Sequence, residues 1–388
     1  MKMIEVKRIK LSDISELITK GTTPTTLGFS FQDEGVNFLK IECFDEYGNF
    51  TKDKLAHISD ECNDKLKRSQ LKENDLLFSI AGAIGRVATV TGEMLPANTN
   101  QALAIIRINR IDVFIPYIKL ILTSPIVREQ FERQKQGVAQ QNLSLKDIGN
   151  LKIPFPSISQ QIDYANIFAK INSVILSRKN ELHLLDDLVK ARFVEMFGEK
   201  NHPENTLLNL CNIIDYRGKT PEKVDSGLPF ITAKNVKMHY MTLEPREYIS
   251  KETYDKVMVR GFPKEGDVVF TTEAPLGNVC RIPRFDTKFY IGQRIVTMQT
   301  EILNPIYLEY ALSDESFKRK YMSKSTGSTV TGIRVRLLEQ LTIPVPPTDL
   351  QNEFAEFVQE VDKSKVFVQK ALDEAQLLFD SLMQQYFG

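Results

Sequence analysis

The chain has few of the residues that build metal sites and covalent cross-links, since only four of its 388 residues are cysteine and four are histidine. The cysteines stand far apart, at Cys43, Cys62, Cys211 and Cys280. Neither a zinc site nor a disulfide framework uses such isolated positions, so the sequence predicts neither. We expect a protein of a reducing compartment.

Long apolar runs are also missing. No stretch approaches the roughly 18 consecutive apolar residues that cross a bilayer. Residues 1–5 lack the apolar stretch of a signal peptide. With 42% hydrophobic residues the chain can still bury two cores. These features predict a cytoplasmic protein with no membrane contact.

An excess of either charge is absent too, because 50 Lys and Arg residues balance 50 Asp and Glu residues. The balance is uneven along the chain. Residues 1–155 and 201–346 are mildly basic, whereas residues 347–388 are acidic. Strong phosphate binders usually carry a larger positive excess. If the ligand is a nucleic acid, we expect weak binding by the chain alone or binding shared with a basic partner.

Motifs of catalysis are likewise missing. The sequence contains no paired-histidine zinc motif, no phosphate-binding loop ending in Gly-Lys-Ser/Thr, and no nucleophile elbow. Its many carboxylates show no spacing typical of an acid–base pair. The residues therefore indicate no catalytic site.

What the sequence does contain is a long duplication. Residues 153–156 read Ile-Pro-Phe-Pro and residues 343–346 read Ile-Pro-Val-Pro, which are 343 − 153 = 190 positions apart. Gln101 and Gln293 correspond at an offset of 293 − 101 = 192. Such drift is usual for short insertions in surface loops. A repeat this long exceeds the ~20–50 residues of solenoids and indicates a duplicated domain.

Each copy begins with a globular part of mixed pattern. Short apolar runs bounded by Gly, Asn and Asp predict strands at residues 76–80, 102–108, 268–271 and 295–298. Short helices are predicted at residues 117–123 and 307–313. The Ile-Pro-x-Pro stretch ends the globular part, because proline lacks an amide donor and restricts the residue before it.

Each copy then continues into a long helix that no Gly or Pro interrupts. In the second copy the apolar stripe steps by four and three along Leu350, Phe354, Phe357, Val361, Ser364, Val368, Leu372, Ala375, Phe379, Leu382 and Tyr386. The first copy has a looser stripe at Ile162, Ala165, Phe168, Ile175, Leu182, Leu185, Val189, Phe193 and Met196. A narrow seam of this length predicts that the two helices pair with each other. The alternative is that each packs on its own globular part.

One segment resembles a catalytic signature. Asn304-Pro305-Ile306-Tyr307 is similar to the Asn-Pro-Pro-Tyr/Phe motif with which DNA amino-methyltransferases hold a flipped adenine. The second proline is missing, and the first copy has Phe114 where the motif needs Asn304. We therefore expect the start of a helix here.

The order of these motifs carries a family resemblance. Each copy has a Gly-x-x-Pro near its start, a strand with Gly three residues before Phe38 or Phe230, and an Asp-Val-Val-Phe-type strand. A lone glutamine, Gln101 or Gln293, then precedes Ile-Pro-x-Pro and the long helix. This pattern closely resembles the specificity subunit of type I restriction–modification systems and covers essentially the whole chain.

The resemblance implies an α+β fold with two tandem mixed α/β target recognition domains separated by two long antiparallel, coiled-coil-like helices. The domains would be residues 1–155 and 201–346, and the helices residues 156–200 and 347–388. Each domain would read one half of a bipartite DNA target, and the helix length would set the gap. Because the copies differ in their polar positions, the half-sites should differ in sequence.

The resemblance also implies partners. The chain itself would be non-catalytic and use no cofactor. It would bind double-stranded DNA and recruit two methylation subunits, which use S-adenosylmethionine, and restriction subunits, which use ATP and Mg²⁺. The methylation subunits would contact the helices and help to enclose the DNA.

Candidate DNA contacts follow from side-chain chemistry. Lys, Arg, Ser and Thr bind phosphates, Arg reads guanine, and Asn or Gln reads adenine. In the first copy the candidates are Lys40, Arg86, Gln140, Gln141 and Asn142. In the second copy they are Lys234, Asn235, Lys324, Ser325, Thr326, Arg334 and Arg336. The alternative for each is a solvated surface side chain.

Two other functions remain open at this point. The chain could be a DNA adenine methyltransferase that uses Asn304 and Tyr307, or a protein scaffold with no DNA role. Binding of S-adenosylmethionine by the isolated chain distinguishes the first, and a DNA footprint of the assembled complex excludes the second.

Overall fold

The structure is a computed structural model that describes residues 7–45, 48–135, 142–198, 202–216, 218, 221–327 and 331–387, with the backbone alone at 133–135. Within these residues, no helix is apolar over enough of its length to span a bilayer. The chain is divided into two compact units. Unit 1 comprises Met1–Lys179 and Ala371–Gly388, and unit 2 comprises Asn180–Lys370. The division of the chain at residues 155, 200 and 346 stays a prediction.

Unit 1 holds the first copy of the repeat. Its strands are β1 Arg8–Lys10, β2 Leu17–Lys20, β3 Val36–Leu39, β4 Ala56–Ile58, β5 Leu76–Ser79, β6 Val87–Thr89, β7 Ala97–Thr99, β8 Leu103–Arg107 and β9 Lys152–Pro154. Its helices are α1 Asp60–Lys65, α2 Ile115–Leu122, α3 Pro125–Lys135, α4 Leu145–Gly149 and the first part of α5 Ile158–Phe197. Short 3-10 turns lie at Leu11–Asp13, Pro24–Leu27, Ile41–Cys43, Lys67–Ser69 and Gly92–Met94.

The strands of unit 1 form three sheets. An antiparallel four-stranded sheet has the order β2-β8-β5-β6. A three-stranded sheet has the order β4-β3-β7, with β3 and β7 parallel, and β1 pairs with β9. Strand β5 is buried on both faces because alternate side chains enter different cores. Leu76 and Phe78 join one apolar cluster and Leu77 joins another, as the two-residue period of a strand requires.

Unit 2 holds the second copy. Its strands are β10 Glu204–Thr206, β11 Asn212–Asp215, β12 Leu228–Ile231, β13 Val236–Lys237, β14 Tyr240–Met241, β15 Tyr248–Ile249, β16 Val268–Thr271, β17 Val279–Arg281, β18 Tyr290–Ile291, β19 Ile295–Gln299 and β20 Thr342–Pro344. Its helices are α6 Leu207–Leu210, α7 Lys251–Val257, α8 Pro305–Ser313, α9 Glu315–Lys324, α10 Val335–Leu338 and the first part of α11 Thr348–Phe387.

The sheets of unit 2 repeat those of unit 1 strand for strand. The four-stranded sheet has the order β11-β19-β16-β17, the three-stranded sheet has the order β15-β12-β18, and β10 pairs with β20. Strand β12 is again parallel to β18. In β16, Val268 and Phe270 enter one core and Val269 enters another. Unit 2 adds the short hairpin β13-β14. The predicted strands and short helices are confirmed, with bounds shifted by one or two residues.

Both long helices contain 40 residues, which corresponds to roughly 60 Å at ~1.5 Å per residue. In unit 1, the rings of Tyr164 and Tyr386 stack with centroids 4.6 Å apart. In unit 2, the ring of Phe354 lies edge-on to Phe193 with centroids 5.4 Å apart. Early residues of α5 thus meet late residues of α11, and the reverse holds in the other unit. The helices pair antiparallel, as predicted.

The apolar stripes were predicted with a few errors. Phe168, Val189 and Phe354 are fully buried, but Ile162 is 38% exposed. Its neighbour Gln161 is buried instead, because the amide donates to the Pro156 carbonyl oxygen at 3.0 Å and accepts from the Phe114 N–H at 2.9 Å. Hydrogen bonding therefore overrides the apolar pattern at the start of α5.

Candidate nucleic-acid interface

Three loops of unit 2 meet at one end of its four-stranded sheet. They are the turn between β16 and β17, the turn between β18 and β19, and the segment that precedes α10. The Thr272 N–H donates to the Arg294 carbonyl oxygen at 2.9 Å, and the Ile333 N–H donates to the Thr272 carbonyl oxygen at 3.0 Å. Thr326 and Gly332 exchange two backbone hydrogen bonds of 3.0 Å. This ladder places side chains that are distant in sequence around one opening.

Two neighbouring clefts open between these loops. The first has a volume of about 330 Å³ and is lined by Thr272, Glu273, Gln293, Thr326, Gly332, Ile333 and Arg334. The second has a volume of about 270 Å³ and is lined by Pro221, Lys223, Phe230, Thr232, Ala233, Lys234, Glu247, Ala274, Gly292, Gln293 and Arg294. Gln293 borders both clefts. The lining combines cations, amides and hydroxyls, which are the groups that contact phosphates and base edges.

Ion pairs at the rims hold some of these cations in place. The Arg294 Nε lies 2.8 Å from a Glu273 carboxylate oxygen, with both side chains about half exposed. The Lys223 Nζ lies 2.8 Å from Glu247. The Arg294–Glu273 pair is exposed, and exposed pairs contribute only about 0–1 kcal/mol. A phosphate can therefore displace the Glu273 carboxylate at little cost, whereas the Glu247 side chain is only 17% exposed.

Three of the predicted contacts of unit 2 line these clefts. Thr326 and Arg334 border the first cleft, and Lys234 borders the second. Lys324 is an exposed residue at the end of α9, and Arg336 is exposed on α10. These lie outside the cleft linings and stay predictions as contacts.

Two further candidates of unit 2 make hydrogen bonds within the protein. The Ser325 hydroxyl donates to the Tyr321 carbonyl oxygen at 2.7 Å. Asn235 is buried, and its amide donates to the carbonyl oxygens of Thr242 and Pro245 at 3.1 Å while its oxygen accepts from the Thr232 N–H. Asn235 thus shapes the turn that presents Lys234, and its contact with DNA stays a prediction.

Unit 1 gathers the equivalent loops. The Ile80 N–H donates to the Ala102 carbonyl oxygen at 2.9 Å, and the Leu143 N–H donates to the Ile80 carbonyl oxygen at 3.0 Å. Asn142, a predicted contact, is exposed in the segment that this bond anchors. The other two predicted contacts that the structure describes are half-buried.

Those two side chains already have partners. The Lys40 Nζ lies 4.4 Å from the centre of the Phe31 ring, and an Arg86 Nη donates to the Phe44 carbonyl oxygen at 2.9 Å. Gln140 and Gln141 lie outside the residues that the structure describes. All of these stay predictions as DNA contacts.

The sequence reading missed the side chains that join the two clefts. Gln293, Arg294 and Lys223 were not among the candidates, although all three line a cleft. A usable signal was present, because a lone glutamine occurs at the same place in each copy, as Gln101 and Gln293.

The methyltransferase interpretation of Asn304 and Tyr307 is wrong. The Asn304 side chain caps α8 by accepting from the Ile306 N–H at 2.9 Å, and its amide donates to Asn352 at 3.0 Å. Tyr307 is fully buried, and its hydroxyl donates to the Pro344 carbonyl oxygen at 2.8 Å. Neither side chain can grip a base. The segment starts a helix, as its counterpart in the first copy led us to expect.

Comparison with known proteins agrees with the duplicated fold. A solved structure concerned with complex assembly and conformational transition of the type I R-M system covers 100% of this chain and 98% of its own, with a TM-score of 0.57 and 18% identity. The match to the type I restriction–modification system S subunit from M. genitalium covers 100% of this chain and 97% of that subunit, with a TM-score of 0.54 and 13% identity. At these identities the likeness establishes the fold alone.

Curated relatives agree in name. The type I restriction enzyme EcoBI specificity subunit of Escherichia coli is 29% identical over 170 residues, which is 42% of this chain and only 35% of that subunit. A Methanocaldococcus jannaschii protein provisionally named type I restriction enzyme MjaX specificity subunit is 24% identical over 389 residues, which covers 92% of this chain and 86% of that protein.

The family model described as "Type I restriction modification DNA specificity domain" matches residues 3–184 and again residues 204–375. The two matches coincide with the two copies of the repeat. The chain belongs to the family of type I restriction–modification DNA specificity proteins.

Proposed function

We propose that this chain is the non-catalytic DNA-reading subunit of a type I restriction–modification complex, acting in the cytoplasm, and that each unit reads one half of a bipartite target. The observation that carries the proposal is the repeated loop cluster. In each unit the described parts of three equivalent loops meet at the same end of its four-stranded sheet, and the polar side chains on those loops differ.

The differences between the clusters support an asymmetric target. The position of Arg294 in unit 2 is Ala102 in unit 1, and the position of Glu273 is Ala81. Since base reading depends on the donors and acceptors presented to the groove, these changes alter what each unit reads. Similar backbones with different side chains suit two half-sites of different sequence.

The long helices support a role in spacing and in docking. Apolar side chains that are more than 40% exposed lie along them, at Val174, Leu184, Leu188, Val194, Val366, Phe367, Leu377 and Leu378. A contiguous apolar patch marks an interaction site, and the adjacent exposed pairs Val366–Phe367 and Leu377–Leu378 favour such a patch on α11. We assign it to two methylation subunits, which would use S-adenosylmethionine. Restriction subunits that use ATP and Mg²⁺ would complete the complex.

The salt dependence of DNA binding tests the role of the clefts. We would measure the affinity of the complex with its methylation subunits for duplex DNA at several salt concentrations. Because each phosphate contact releases counterions, Lys234→Ala and Arg334→Ala should each lower the log–log salt slope by about 1. The matched control is Lys363→Ala, an exposed lysine on α11 that pairs with Glu360 at 2.6 Å.

The control variant should keep the wild-type slope. If both cleft variants also keep it, the clefts do not face DNA and the assignment of this interface is wrong. If the wild-type complex shows no preference for any sequence, the proposed function itself fails.

A further inference from the structure

Gln293 lies on a tightly packed turn. The Gly292 N–H donates to the Ile231 carbonyl oxygen at 2.7 Å, and the Ile295 N–H returns to the Gly292 carbonyl oxygen at 3.2 Å. A Cβ atom on Gly292 would lie only 2.9 Å from the Phe230 ring. This close packing fixes the backbone that carries Gln293 at the meeting point of the two clefts.

The side-chain amide of Gln293 makes no hydrogen bond with the described part of the chain. Gln351, for comparison, is buried and donates to the Pro346 carbonyl oxygen at 2.8 Å while it accepts from the Asn304 N–H at 2.8 Å. Gln161 and Asn235 are occupied in the same manner. For Gln293 the described part of the chain supplies no hydrogen-bond partner, although the side chain is partly buried. An unpaired amide that extends from a tightly packed turn into an open cleft is suited to an outside ligand.

The surroundings indicate what that ligand presents. Lys234 borders one cleft and Arg334 borders the other, so cations flank Gln293 on two sides. Backbone phosphates held by the cations would bring a base edge against the amide. A glutamine amide matches adenine, because its N–H donates to N7 and its oxygen accepts from the N6 amino group.

The first copy differs at this point. Its equivalent residue, Gln101, accepts a short hydrogen bond from the Thr23 hydroxyl. The oxygen that would accept from an adenine amino group is therefore already engaged. In unit 1 the glutamine oxygen already accepts a hydrogen bond. In unit 2 the described residues provide no such bond for the equivalent glutamine.

We infer that Gln293 is the specificity-determining residue with which unit 2 reads one adenine of its half-site, through a paired hydrogen bond in the major groove. The inference rests on the proposed function, since it requires that unit 2 binds duplex DNA.

The experiment uses 7-deazaadenine, which lacks the N7 acceptor. The complex with its methylation subunits is titrated with target duplexes in which each adenine in turn is replaced by the analogue. With the wild-type chain, one position in one half-site should weaken binding by roughly 5- to 100-fold, because the Gln293 N–H is left without its acceptor in the interface. In Gln293→Ala, and in the isosteric Gln293→Glu, which has no N–H to donate, that position should lose its penalty.

Gln340→Ala is the matched control, because Gln340 is an exposed glutamine of the same unit outside both cleft linings. It should keep the full penalty. If Gln293→Glu binds DNA and still shows the wild-type penalty at every adenine, the inference is overturned. If the wild-type complex has no preferred sequence, the proposed function falls instead, and the two failures are distinct.

Discussion

The Tyr307 hydroxyl donates a hydrogen bond of 2.8 Å to the carbonyl oxygen of Pro344. The same bond, also 2.8 Å, joins Tyr117 to Pro154 in the other unit. Each tyrosine is fully buried at the start of a short helix, and each proline ends the strand that precedes a long helix. This pair ties the globular part of each copy to the strand from which its helix emerges.

Removal of this hydroxyl should destabilise unit 2. In Tyr307→Phe the Pro344 carbonyl group loses its buried donor, which costs about 1–3 kcal/mol. Denaturant unfolding of the chain measures the loss. The control is Tyr240→Phe, whose side chain is 61% exposed and should change the free energy of unfolding by less than about 0.5 kcal/mol. Equal effects of the two substitutions would contradict this role.

Asp267 should make the folding stability of unit 2 depend on pH. Burial raises the pKa of its carboxyl group above the usual 3.8, although hydrogen bonds from the Lys264 N–H and the Gln299 amide oppose this effect. Because the folded pKa is raised, the stabilisation by the neutral form is fully present below the unfolded pKa. It is lost as the pH rises through the folded pKa.

The neutral variant Asp267→Asn tests this sign. Its melting temperature relative to the wild-type chain should increase as the pH rises from about 4, since only the wild-type carboxyl group ionises. Asp286→Asn is the control, because the Asp286 side chain is 94% exposed. A difference for Asp267→Asn that stays constant from about pH 4 to pH 8 would show that burial does not raise this pKa.

Glu309 forms a buried network of charged and polar partners in unit 2. Its carboxylate is 1% exposed and lies 2.6 Å from the Arg281 Nε and 2.9 Å from the His239 Nδ1. In the first copy the position equivalent to Glu309 holds Lys119. Burial lowers the pKa of the Lys119 amino group. We expect Arg281→Ala to reduce the free energy of unfolding by about 3 kcal/mol, because it leaves a buried carboxylate with one fewer partner.

A double substitution separates this cause from a simple packing loss. Arg281→Met with Glu309→Leu removes both charges and keeps apolar volume, so most of the stability should return. Denaturant unfolding of the single and double variants measures the coupling. Additive losses would mean that the buried charge is not responsible.

Longer helices should change the spacer and leave the half-sites intact. Insertion of seven residues into α5 between residues 165 and 195, with a matching insertion in α11, would lengthen each helix by about 10 Å. At ~3.4 Å per base pair this corresponds to about three additional base pairs. The methylated motif of the variant reports the spacing. An unchanged gap with an active variant would rule out the helices as the ruler.

The extent of what the sequence predicts follows from how local each feature is. Strands β5 and β16 were found because an apolar run bounded by glycine and aspartate is a local signal. The helix at Tyr307 was found because the repeat supplied a second example. The long helices were found because their periodicity extends over 40 residues.

Features that depend on distant partners were not found. Glu309 is buried only because Arg281 and His239 reach it from other elements, and a single sequence shows no sign of that pairing. Gln161 is buried and Ile162 is partly exposed because the Gln161 amide bonds to the backbone at Phe114 and Pro156. Gln293 joins two clefts whose other walls come from residues as far as about 70 positions before it and about 40 positions after it, so only the folded chain reveals its place.

A map of methylated adenines in DNA from cells that co-express this chain with its methylation subunit measures whether the chain selects the DNA sequence that is modified. We predict a two-part asymmetric motif with a fixed gap, absent when this chain is omitted, and a Gln293→Ala variant that relaxes one position of one half only. A motif that persists without the chain, or a stable complex that methylates no defined sequence, would show that this chain does not select the DNA sequence.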